Sequence, residues 1–474
     1  MNAAAPAPAS KDLWGQPRGL WVLAGTEFWD RISFHGMQAM LVLYMTGDLL
    51  VHPERVGRII GFSAYRGMIE GMTGPLSDIA LATQTFGLYL AFVTGLPLLG
   101  GWIGDKFTGR RIAVGLGAGL MTAGHFCLAF DATFLIALIL LMTGAGMLRG
   151  NLSPQIKSLY ADGDSRESNA FQYYYLSVNL GAFVAPIVSG AVAAVWGWHM
   201  GFGVAGFGML IGFIIYLAGS AFLPAESARE MHGEPVAGRK LTAPERRRVW
   251  GLFLLWPVPL AFWTAQAQVW NVYNVWLRDH VNMAVGGFNV PVPWMQSLDG
   301  LAPAVFIPLA LWIWARQAKA GHEPDEFTKA GMGMLIFAAA VATLALGPAL
   351  AGSDGRAPIL LPVLFHVFSN FGAVFVAPVI LAIFATRAPE QWRGTLVGIN
   401  SLSISAGSLL SGRMGSLYEQ MTPSGFWMVN AAICGAGGLY ILLTRRFYAR
   451  VLDHKNAEDT MPLPPKQEAV VVAD

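Results

Sequence analysis

The chain has 474 residues, of which 54% are hydrophobic and 13% charged, and its 31 basic and 29 acidic residues leave a formal net charge of +2. Soluble domains carry roughly a quarter charged residues, so this composition excludes a soluble or disordered chain, and the balanced charge excludes a nucleic-acid-binding protein. The two cysteines, Cys127 and Cys434, lie in apolar runs, which excludes a disulfide framework and a zinc site.

Long apolar stretches follow one another along the chain. A membrane-spanning helix needs about 20 mostly apolar residues, and twelve stretches meet this requirement. They predict transmembrane helices over residues 19–47, 81–103, 110–130, 133–158, 168–195, 200–223, 248–277, 295–315, 328–349, 358–386, 394–418 and 424–444. Prolines such as Pro97, Pro186 and Pro257 interrupt several of them, which membrane helices tolerate because neighbouring helices satisfy the freed carbonyl groups.

Polar stretches separate some of these helices. Residues 48–80 lie between the first two, and apolar positions such as Ile59 and Ile69 suggest a short amphipathic helix at the outer mouth. Residues 224–247 lie between the sixth helix and the seventh. The opening stretch 1–17 has no apolar core, so it is expected to be a tail and not a cleaved signal peptide.

The distribution of lysine and arginine predicts how the helices are oriented. With the N-terminus in the cytoplasm, most of the 31 basic residues fall in cytoplasmic segments. The outside segments then hold only Arg55, Arg58, Arg66, Arg278 and Arg356. This bias predicts that both termini are cytoplasmic, which requires an even number of helices.

Together these features predict an all-α integral membrane protein with twelve transmembrane helices in two six-helix bundles. The predicted parts are a cytoplasmic N-terminal tail, the first bundle, a cytoplasmic linker, the second bundle and a cytoplasmic C-terminal tail. They cover residues 1–17, 18–223, 224–247, 248–445 and 446–474. This layout is typical of transporters whose two halves rock around a central site, which gives alternating access.

The first helix carries three ionisable residues on one turn, in the run TEFWDRISFHG. Glu27 and Arg31 are four residues apart and can pair, and Asp30 projects to the same side. Two carboxylates beside one guanidinium leave a negative charge uncompensated, so one carboxylate is expected to bind a proton. The alternative is a structural ion pair that fixes helix packing.

Two further charged residues are predicted within helices of opposite halves. Arg149, in GAGMLRGNLSP, needs an anionic partner in the membrane, which is Glu27, Asp30 or the carboxylate of a substrate. Asp299, in MQSLDGLAP, is the acid of the second half that is placed to face a cavity. Its alternative role is a helix cap near the membrane interface.

Polar residues within the helices are the remaining candidates for a substrate site. His35 lies one turn after Arg31, and His366 lies in the tenth helix; each is either a packing residue or a proton carrier. The seventh helix carries four amides among Trp and Tyr residues, which either line a cavity or face other helices and lipid. The amides are Gln266, Gln268, Asn271 and Asn274.

Motifs of membrane enzymes are absent from the sequence. It contains no HExxH, no GxSxG, no phosphate-binding glycine loop and no His-rich cluster. We therefore expect a carrier and not an enzyme. A receptor that binds a nutrient without transporting it has the same sequence features.

Several runs of the sequence resemble a known family. EFWDRISFHGMQAMLVLYM is similar to ExxERFxYYG, the first-helix signature of the proton-dependent oligopeptide transporter family within the major facilitator superfamily. GGWIGDKFTGRR resembles the loop between the family's second and third helices, and residues 149–202 resemble its long motif over the fourth to sixth helices. AFWTAQAQ and MQSLDG resemble second-half segments more loosely, and the resemblance spans about residues 18–445.

The resemblance implies the major facilitator fold and proton-driven uptake of small peptides across the inner membrane of a bacterium. Glu27, Asp30 and Arg31 fall on the family's proton-coupling motif. Asn179 falls on the asparagine that binds the peptide backbone, and Tyr175 in the same YYYLSVNLG run is expected at the same site.

The sequence also departs from the family pattern at site positions. Arg149 stands where the family has Lys, and Ala267 and Ala373 stand where it has Glu. Asp299 stands at the position of an eighth-helix Asn, and Asn400 at that of an eleventh-helix Trp. The tenth-helix Glu holds a peptide's amino terminus in the family, so either Asp299 supplies this acid from another wall or the substrate lacks a free amine.

We therefore expect a proton-coupled symporter that imports small peptides or peptide-like carboxylates by alternating access. The expected proton-coupling residues are Glu27, Asp30 and Arg31, and the expected substrate-binding residues are Arg149, Asn179, His35, Tyr175, Gln268, Asn274, Asp299 and Asn400. The proton is the coupling ion and no cofactor is expected. The expected partners are a small-molecule substrate and the lipid bilayer, without nucleic acid, and the protein is expected to be a monomer. The alternatives are a divergent carrier for a non-peptide organic anion and a non-transporting nutrient receptor.

Overall fold

The structure is a computed structural model that describes residues 12–161, 163–224 and 240–453. Its regular structure is almost entirely helical. The helices of the first half are α1 (Arg18–Tyr44), α2 (Pro53–Val56), α3 (Phe62–Thr73), α4 (Asp78–Ile103), α5 (Arg110–Cys127), α6 (Phe134–Leu152), α7 (Pro154–Lys157), α8 (Arg166–Trp196) and α9 (Trp198–Gly219). Those of the second half are α10 (Ala243–Leu255), α11 (Pro257–Trp270), α12 (Val272–His280), α13 (Ser297–Lys319), α14 (Glu326–Leu344), α15 (Leu360–Val374), α16 (Ala377–Arg387), α17 (Arg393–Gly415) and α18 (Pro423–Val451).

Shorter elements extend or connect these helices. Two π-helical turns are Met45–Leu49 and Gly104–Thr108, and the 3-10 turns are Asp131–Thr133, Ser220–Phe222, Val292–Gln296, Pro348–Leu350 and Glu390–Trp392. The strands are β1 (Val281–Asn282), β2 (Ala284–Val285), β3 (Phe288–Asn289) and β4 (Ala357–Pro358). β1 pairs with β4 in parallel and so joins two loops of the second half, while β2 and β3 form an antiparallel hairpin within one loop.

The twelve predicted spans all coincide with helices. Nine helical segments in the described part of the chain are long and apolar enough to cross a bilayer, judged by length and composition. The remaining three predicted spans are α1, α5 and α17. They are less apolar because α1 carries Glu27, Asp30 and Arg31, while α5 begins with two arginines and α17 is rich in serine. The predicted short helix between the first two spans is confirmed by α3.

The predicted seventh span, 248–277, is longer and more broken than expected. It is built from α10, α11 and α12, which together run from Ala243 to His280. The first break precedes Pro257, which has no N–H to donate to the preceding turn. The second lies at Asn271, whose φ of -111° and ψ of -100° are not helical. α10 thus begins inside the predicted linker, whose residues 225–239 lie outside the described part of the chain.

Each half of the chain packs mainly on itself. In the first half α1 lies against α8 and α9, and α6 lies between α4 and α5. In the second half α14 lies against α15 and α18, and α11 against α17 and α18. We call the face at which α1 begins and α18 ends the tail face, and the opposite face the distal face.

The two halves meet along two helix pairs, α4 with α17 and α8 with α13. Glycine permits both approaches, since a Cβ added to Gly87 would lie 2.6 Å from the carbonyl oxygen of Ser408, and one added to Gly300 would lie 2.4 Å from the nitrogen of Phe183. These contacts leave a space between the halves, and that space holds the candidate site.

Candidate functional site

A central cavity lies between the two halves. One part, of about 270 Å3, is lined by residues of α1, α8, α11, α13 and α15. An adjoining part, of about 420 Å3, shares Tyr175, Trp263 and Asn370 with the first and includes residues of α16 and α17. Asn400 of the second part lies about two turns from the tail-face end of α17, so the cavity extends toward the tail face. Its size falls within the range of about 300–1,000 Å3 that holds small ligands.

Five hydrogen bonds between the halves lie toward the distal face, whereas the bond of 3.0 Å between the hydroxyls of Thr94 and Ser405 lies near the middle of α4 and α17. Arg278 donates to the hydroxyl of Thr46 at 2.9 Å, and Arg413 donates to the carbonyl oxygen of Thr73 at 3.3 Å. Trp294 donates to the carbonyl oxygen of Ile187 at 3.0 Å, and further bonds join Asn271 to Thr83 and Ser77 to Glu419. These bonds hold the halves together on the side away from the larger part of the cavity.

Two buried ion pairs lie on α1 in the first half. The guanidinium of Arg31 lies 2.5 Å from Oε1 of Glu27, as the four-residue spacing predicts, and the hydroxyl of Tyr174 donates to Oε2 of Glu27 at 2.5 Å. Arg149 donates to both oxygens of Asp30, at 2.9 and 3.2 Å. The side chains of Glu27 and Asp30 are 1% and 0% exposed.

The charge balance of this cluster corrects the prediction of an uncompensated negative charge. Two carboxylates, Glu27 and Asp30, face two guanidinium groups, Arg31 and Arg149, because α6 brings Arg149 across to α1. Arg149 is also stacked on the ring of Phe34, with its Cζ 4.3 Å from the ring centroid. Its planar fork is thus occupied by Asp30, and Arg149 is not among the residues that line the cavity.

The first half supplies a polar wall to the cavity. His35, Tyr175 and Asn179 line it, as the sequence predicts, and Gln38 joins them. The amide nitrogen of Asn179 donates to the carbonyl oxygen of Tyr175 at 2.8 Å, which leaves its amide oxygen for a ligand. The side chain of Gln38 is buried beside His35 at this wall.

On the second half, Asp299 lies at the cavity wall and accepts hydrogen bonds from side chains of two other helices. It lies in the first turn of α13 and faces the cavity, with its side chain 20% exposed. Its Oδ1 lies 2.9 Å from Nδ1 of His366 and accepts a bond of 2.9 Å from the amide of Asn370. Its Oδ2 accepts a bond of 3.1 Å from the indole of Trp270. Three helices, α11, α13 and α15, are therefore joined at one carboxylate.

Gln268 and Asn274 do not line the cavity, so their predicted role as substrate-binding residues is wrong for this conformation. Gln268 is fully buried and donates to the carbonyl oxygen of Ser411 at 2.8 Å, because it lies on the side of α11 that packs on α17. Asn274 follows the break at Asn271 and accepts a bond of 3.0 Å from Gln296. Gln266, on the other side of α11, does line the cavity.

Asn370 and the bond between His366 and Asp299 were missed by sequence reasoning. The signal that could have found them is the spacing of His366 and Asn370, which are four residues apart and so share one face of α15. In the described part of the chain no group of three or more His, Cys, Asp or Glu residues could hold a metal ion.

The fold defines a class of protein: a multi-pass membrane protein of the major facilitator fold, with a cavity between two helical halves. The model of the POT family matches residues 111–237 and 227–431. This chain therefore belongs to the POT family, which is a family of transporters.

Relatives and solved structures agree with this assignment. The peptide transporter YePEPT of Yersinia enterocolitica subsp. palearctica serotype O:3 (strain YE-P4) is 26% identical over 516 residues, which cover 94% of this chain and 97% of that protein. A di-/tripeptide transporter of Lactococcus lactis subsp. cremoris is 25% identical, over 92% and 96% of the two chains. A crystal structure of peptide transporter POT in complex with sulfate has a TM-score of 0.78 and 24% identity, over 93% and 97%. A POT family transporter in complex with 5-aminolevulinic acid has a TM-score of 0.77 and 22% identity, over 93% and 98%.

Proposed function

We propose that the protein is a proton-coupled symporter that imports small peptides or peptide-like carboxylates by alternating access. The observation that carries the proposal is the buried ion pair of Asp30 and Arg149. The guanidinium of Arg149 is also stacked on the ring of Phe34, the residue next to His35, which lines the cavity. Membership of the POT family and the names of its peptide-transporting relatives support the same conclusion.

The pair of Asp30 and Arg149 provides the coupling step. While Asp30 is ionised, it holds the guanidinium of Arg149 through two hydrogen bonds. A proton on Asp30 removes the charge that holds Arg149, and an unpaired guanidinium is costly in a buried place. Arg149 then binds the carboxylate of a substrate, for which its planar fork is suited. Proton binding and substrate binding thereby favour each other.

Glu27 and Arg31 connect proton binding to the packing of α1 against α8. Glu27 accepts from Tyr174, so its ionised form connects α1 to α8. A proton on Glu27 weakens its bonds to both Arg31 and Tyr174, because bonds to an ionised acceptor are stronger than bonds to a neutral one. α8 also forms one of the contacts with the second half, so this bond lies on the path between proton binding and movement of the halves.

A small peptide can bind in the cavity with its carboxylate toward the first half and its amine toward the second half. Its carboxylate binds Arg149 after release from Asp30. Its backbone amide binds the side-chain oxygen of Asn179, whose amide nitrogen is held by the carbonyl oxygen of Tyr175. His35 and Tyr175 lie beside Asn179, and Asp299 faces them from the second half, where it can accept an amine. Asn400 contributes to the part of the cavity nearer the tail face.

The two halves act as the moving units, with residues 18–223 and 248–445 as six-helix bundles and 224–247 as the linker. The cavity extends toward the tail face, and the bonds of Arg278 and Arg413 lie on the distal face. We assign the tail face to the cytoplasm of a bacterium, with both termini inside and the protein in the inner membrane. The conformation is then open to the cytoplasm. The proton is the coupling ion, no cofactor is needed, and one chain is the transporting unit.

A second candidate function is a carrier for organic carboxylates that lack a free amine. It is favoured by the state of Asp299, whose carboxylate already accepts three hydrogen bonds, and by the alanine at position 373 of the cavity wall. In this second candidate function, Asp299 only holds α11, α13 and α15 together through its hydrogen bonds and does not bind an amine.

A thermal-shift screen of the purified protein separates these candidates. The probes are dialanine, its N-acetyl derivative and its C-terminal amide. We expect dialanine to stabilise the protein and the amide to have little effect, because the amide cannot occupy Arg149. Stabilisation by N-acetyl-dialanine equal to that by dialanine favours the second candidate. Counterflow of labelled dialanine in proteoliposomes then distinguishes a carrier from a receptor, and binding without counterflow would contradict the proposal.

A further inference from the structure

The two parts of the central cavity differ in polarity. The part of about 270 Å3 contains His35, Asn179 and Asp299. The adjoining part of about 420 Å3, which we call the apolar chamber, is lined mainly by aliphatic and aromatic side chains and by prolines. None of the described residues that line it is charged. Its apolar lining includes Pro259, Phe262, Trp263, Ile307, Val374 and Ile404. The larger part of the cavity is therefore suited to an uncharged, apolar group.

The few polar side chains of the apolar chamber are neutral. The hydroxyl of Ser401 donates to the carbonyl oxygen of Val397 at 3.1 Å, within its own helix. Tyr175, Asn370 and Asn400 complete the polar set. A charged group in this chamber would give up water without meeting an opposite charge, which is costly.

Asn370 lies where the two parts of the cavity meet, since it lines both. Its amide nitrogen donates to Asp299 at 2.9 Å, which leaves its side-chain oxygen for a ligand. Asn179 of the first half is arranged in the same way, with its nitrogen held by the carbonyl oxygen of Tyr175. Each half therefore presents a fixed amide oxygen, and such an oxygen is a partner for the N–H of a ligand's amide.

The apolar chamber meets the end of the ligand that is opposite its carboxylate. In the proposed function the carboxylate binds Arg149, which is stacked on Phe34 of the first half. The nitrogen end of the ligand then faces the second half. The acid at that wall, Asp299, already accepts hydrogen bonds from three side chains. An ammonium group would have to share this carboxylate with them, whereas an acyl group on the nitrogen extends past Asn370 into the chamber.

We propose that the apolar chamber binds an apolar acyl group on the nitrogen end of the substrate. The preferred substrates are then N-acylated amino acids or short N-acylated peptides with a free carboxylate. The N–H of the acylated nitrogen donates to Asn370, and the acyl chain or ring packs against Trp263 and Val374. This inference rests on the proposed function and specifies the substrate class of the same site.

Binding affinities of ligands that share one carboxylate end test the proposal. The ligands are dialanine and its N-acetyl, N-benzoyl and N-succinyl derivatives, measured by isothermal titration calorimetry on the purified protein. We expect the N-benzoyl derivative to bind about tenfold more tightly than the N-acetyl one, because burial of the ring is favourable. The N-succinyl derivative, whose added group is charged, should bind more weakly than the N-benzoyl one. An N-benzoyl derivative that binds no more tightly than the N-acetyl or the N-succinyl one would overturn the proposal.

A pair of valine variants on α15 tests the position of the acyl group. Val374→Phe places a ring in the apolar chamber, and we expect it to remove the advantage of N-benzoyl-dialanine over N-acetyl-dialanine. The control is Val367→Phe, which alters a valine of the same helix that is 42% exposed and lines neither part of the cavity. An advantage that persists in Val374→Phe would contradict the assignment, and if this variant does not fold, the wild-type series decides.

A ligand with a free amine separates an acyl group from a side chain as the occupant. Phenylalanyl-alanine that binds more tightly than dialanine, together with no gain from the N-benzoyl group, would assign the chamber to a side chain and overturn the proposal. Binding of dialanine without binding of N-benzoyl-dialanine would overturn this inference and leave the proposed function in place. If no ligand of the series binds, the proposed function itself is contradicted, and the inference with it.

Discussion

At the scale of single residues, the chain pairs each carboxylate of the candidate site with strong hydrogen-bond donors. Glu27 and Asp30 each receive an arginine, and Asp299 receives a histidine, an amide and an indole. The pairing of Glu27 with Arg31 could be predicted, because the two residues are four positions apart in the sequence. The choice of Asp30 as the partner of Arg149 depends on how α6 packs against α4 and α5, which no spacing along the chain predicts.

Glu27→Gln tests proton coupling at this scale. Glutamine keeps acceptor and donor atoms for Arg31 and Tyr174 but cannot bind a proton. We expect uphill uptake to be abolished and exchange of labelled substrate to be largely retained, measured in the same proteoliposomes. Glu54→Gln, an exposed carboxyl on α2, should leave both activities intact. Equal loss of uptake and exchange in a folded Glu27→Gln protein would instead indicate a structural role.

Residue-level prediction was least successful in the seventh span. The composition of that span predicts a polar lining, and Trp263, Gln266 and Trp270 do line the cavity. Gln268 and Asn274 belong to the same run but contact α17 and Gln296. Composition indicates that a helix is polar, whereas its rotation and its break at Asn271 come from tertiary packing.

At the scale of secondary-structure elements, close backbone contact between α13 and α8 holds the halves in this conformation. Gly300→Ala places a methyl group against the backbone of Phe183, at 2.4 Å. We expect it to disfavour this conformation by about 1–3 kcal/mol, the usual effect of overpacking. Distances between spin labels on α8 and α13 should therefore lengthen. Gly203→Ala, where nothing lies within 4 Å, is the matched control. If the distances in Gly300→Ala match those in the wild type and in Gly203→Ala, the contact between α13 and α8 does not stabilise this conformation.

The helix α3 is held by an ion pair that gives its stability a pH dependence. Nε of Arg66 lies 2.9 Å from Oε1 of Glu70, and the N–H of Leu76 donates to the same oxygen at 3.2 Å. The guanidinium of Arg66 and this N–H lower the pKa of Glu70. The ionised form therefore stabilises α3 above the ordinary pKa of about 4.3, and this contribution is lost as the pH falls through the lowered pKa.

Amide hydrogen exchange over residues 62–76 measures this contribution. After correction for the intrinsic rate, exchange in the wild type should accelerate as Glu70 is protonated. Glu70→Gln should already exchange faster at neutral pH, because an amide is a weaker acceptor for Arg66 than a carboxylate. Glu54→Gln should exchange like the wild type. Wild-type exchange in Glu70→Gln would show that the pair does not stabilise α3.

At the scale of the whole molecule, sequence reasoning predicted the fold well and the site in part. Apolar stretches of the right length predict the spans, because the bilayer imposes that length on each helix. His35, Asn179 and Asp299 were predicted at the site and line the cavity. The pairing of His366 with Asp299 was not predicted, because it joins helices that are far apart in the chain.

Cysteine labelling in cells tests the orientation proposed for the whole molecule. In a variant with Cys127 and Cys434 replaced by alanine, Ser63→Cys on α3 should react with an impermeant reagent applied outside. Lys106→Cys, exposed between α4 and α5, should react only after the membrane is permeabilised. Labelling of position 106 from outside would reverse the assignment of the tail face to the cytoplasm.

In the proposed mechanism, a proton gradient drives accumulation of a peptide-like substrate through this cavity. The most direct measurement is uptake of labelled dialanine into proteoliposomes whose exterior is made more acidic than their interior. We predict accumulation above the external concentration, and its collapse when a protonophore is added. Dialanine that only equilibrates across the membrane, or accumulation that survives the protonophore, would contradict the account.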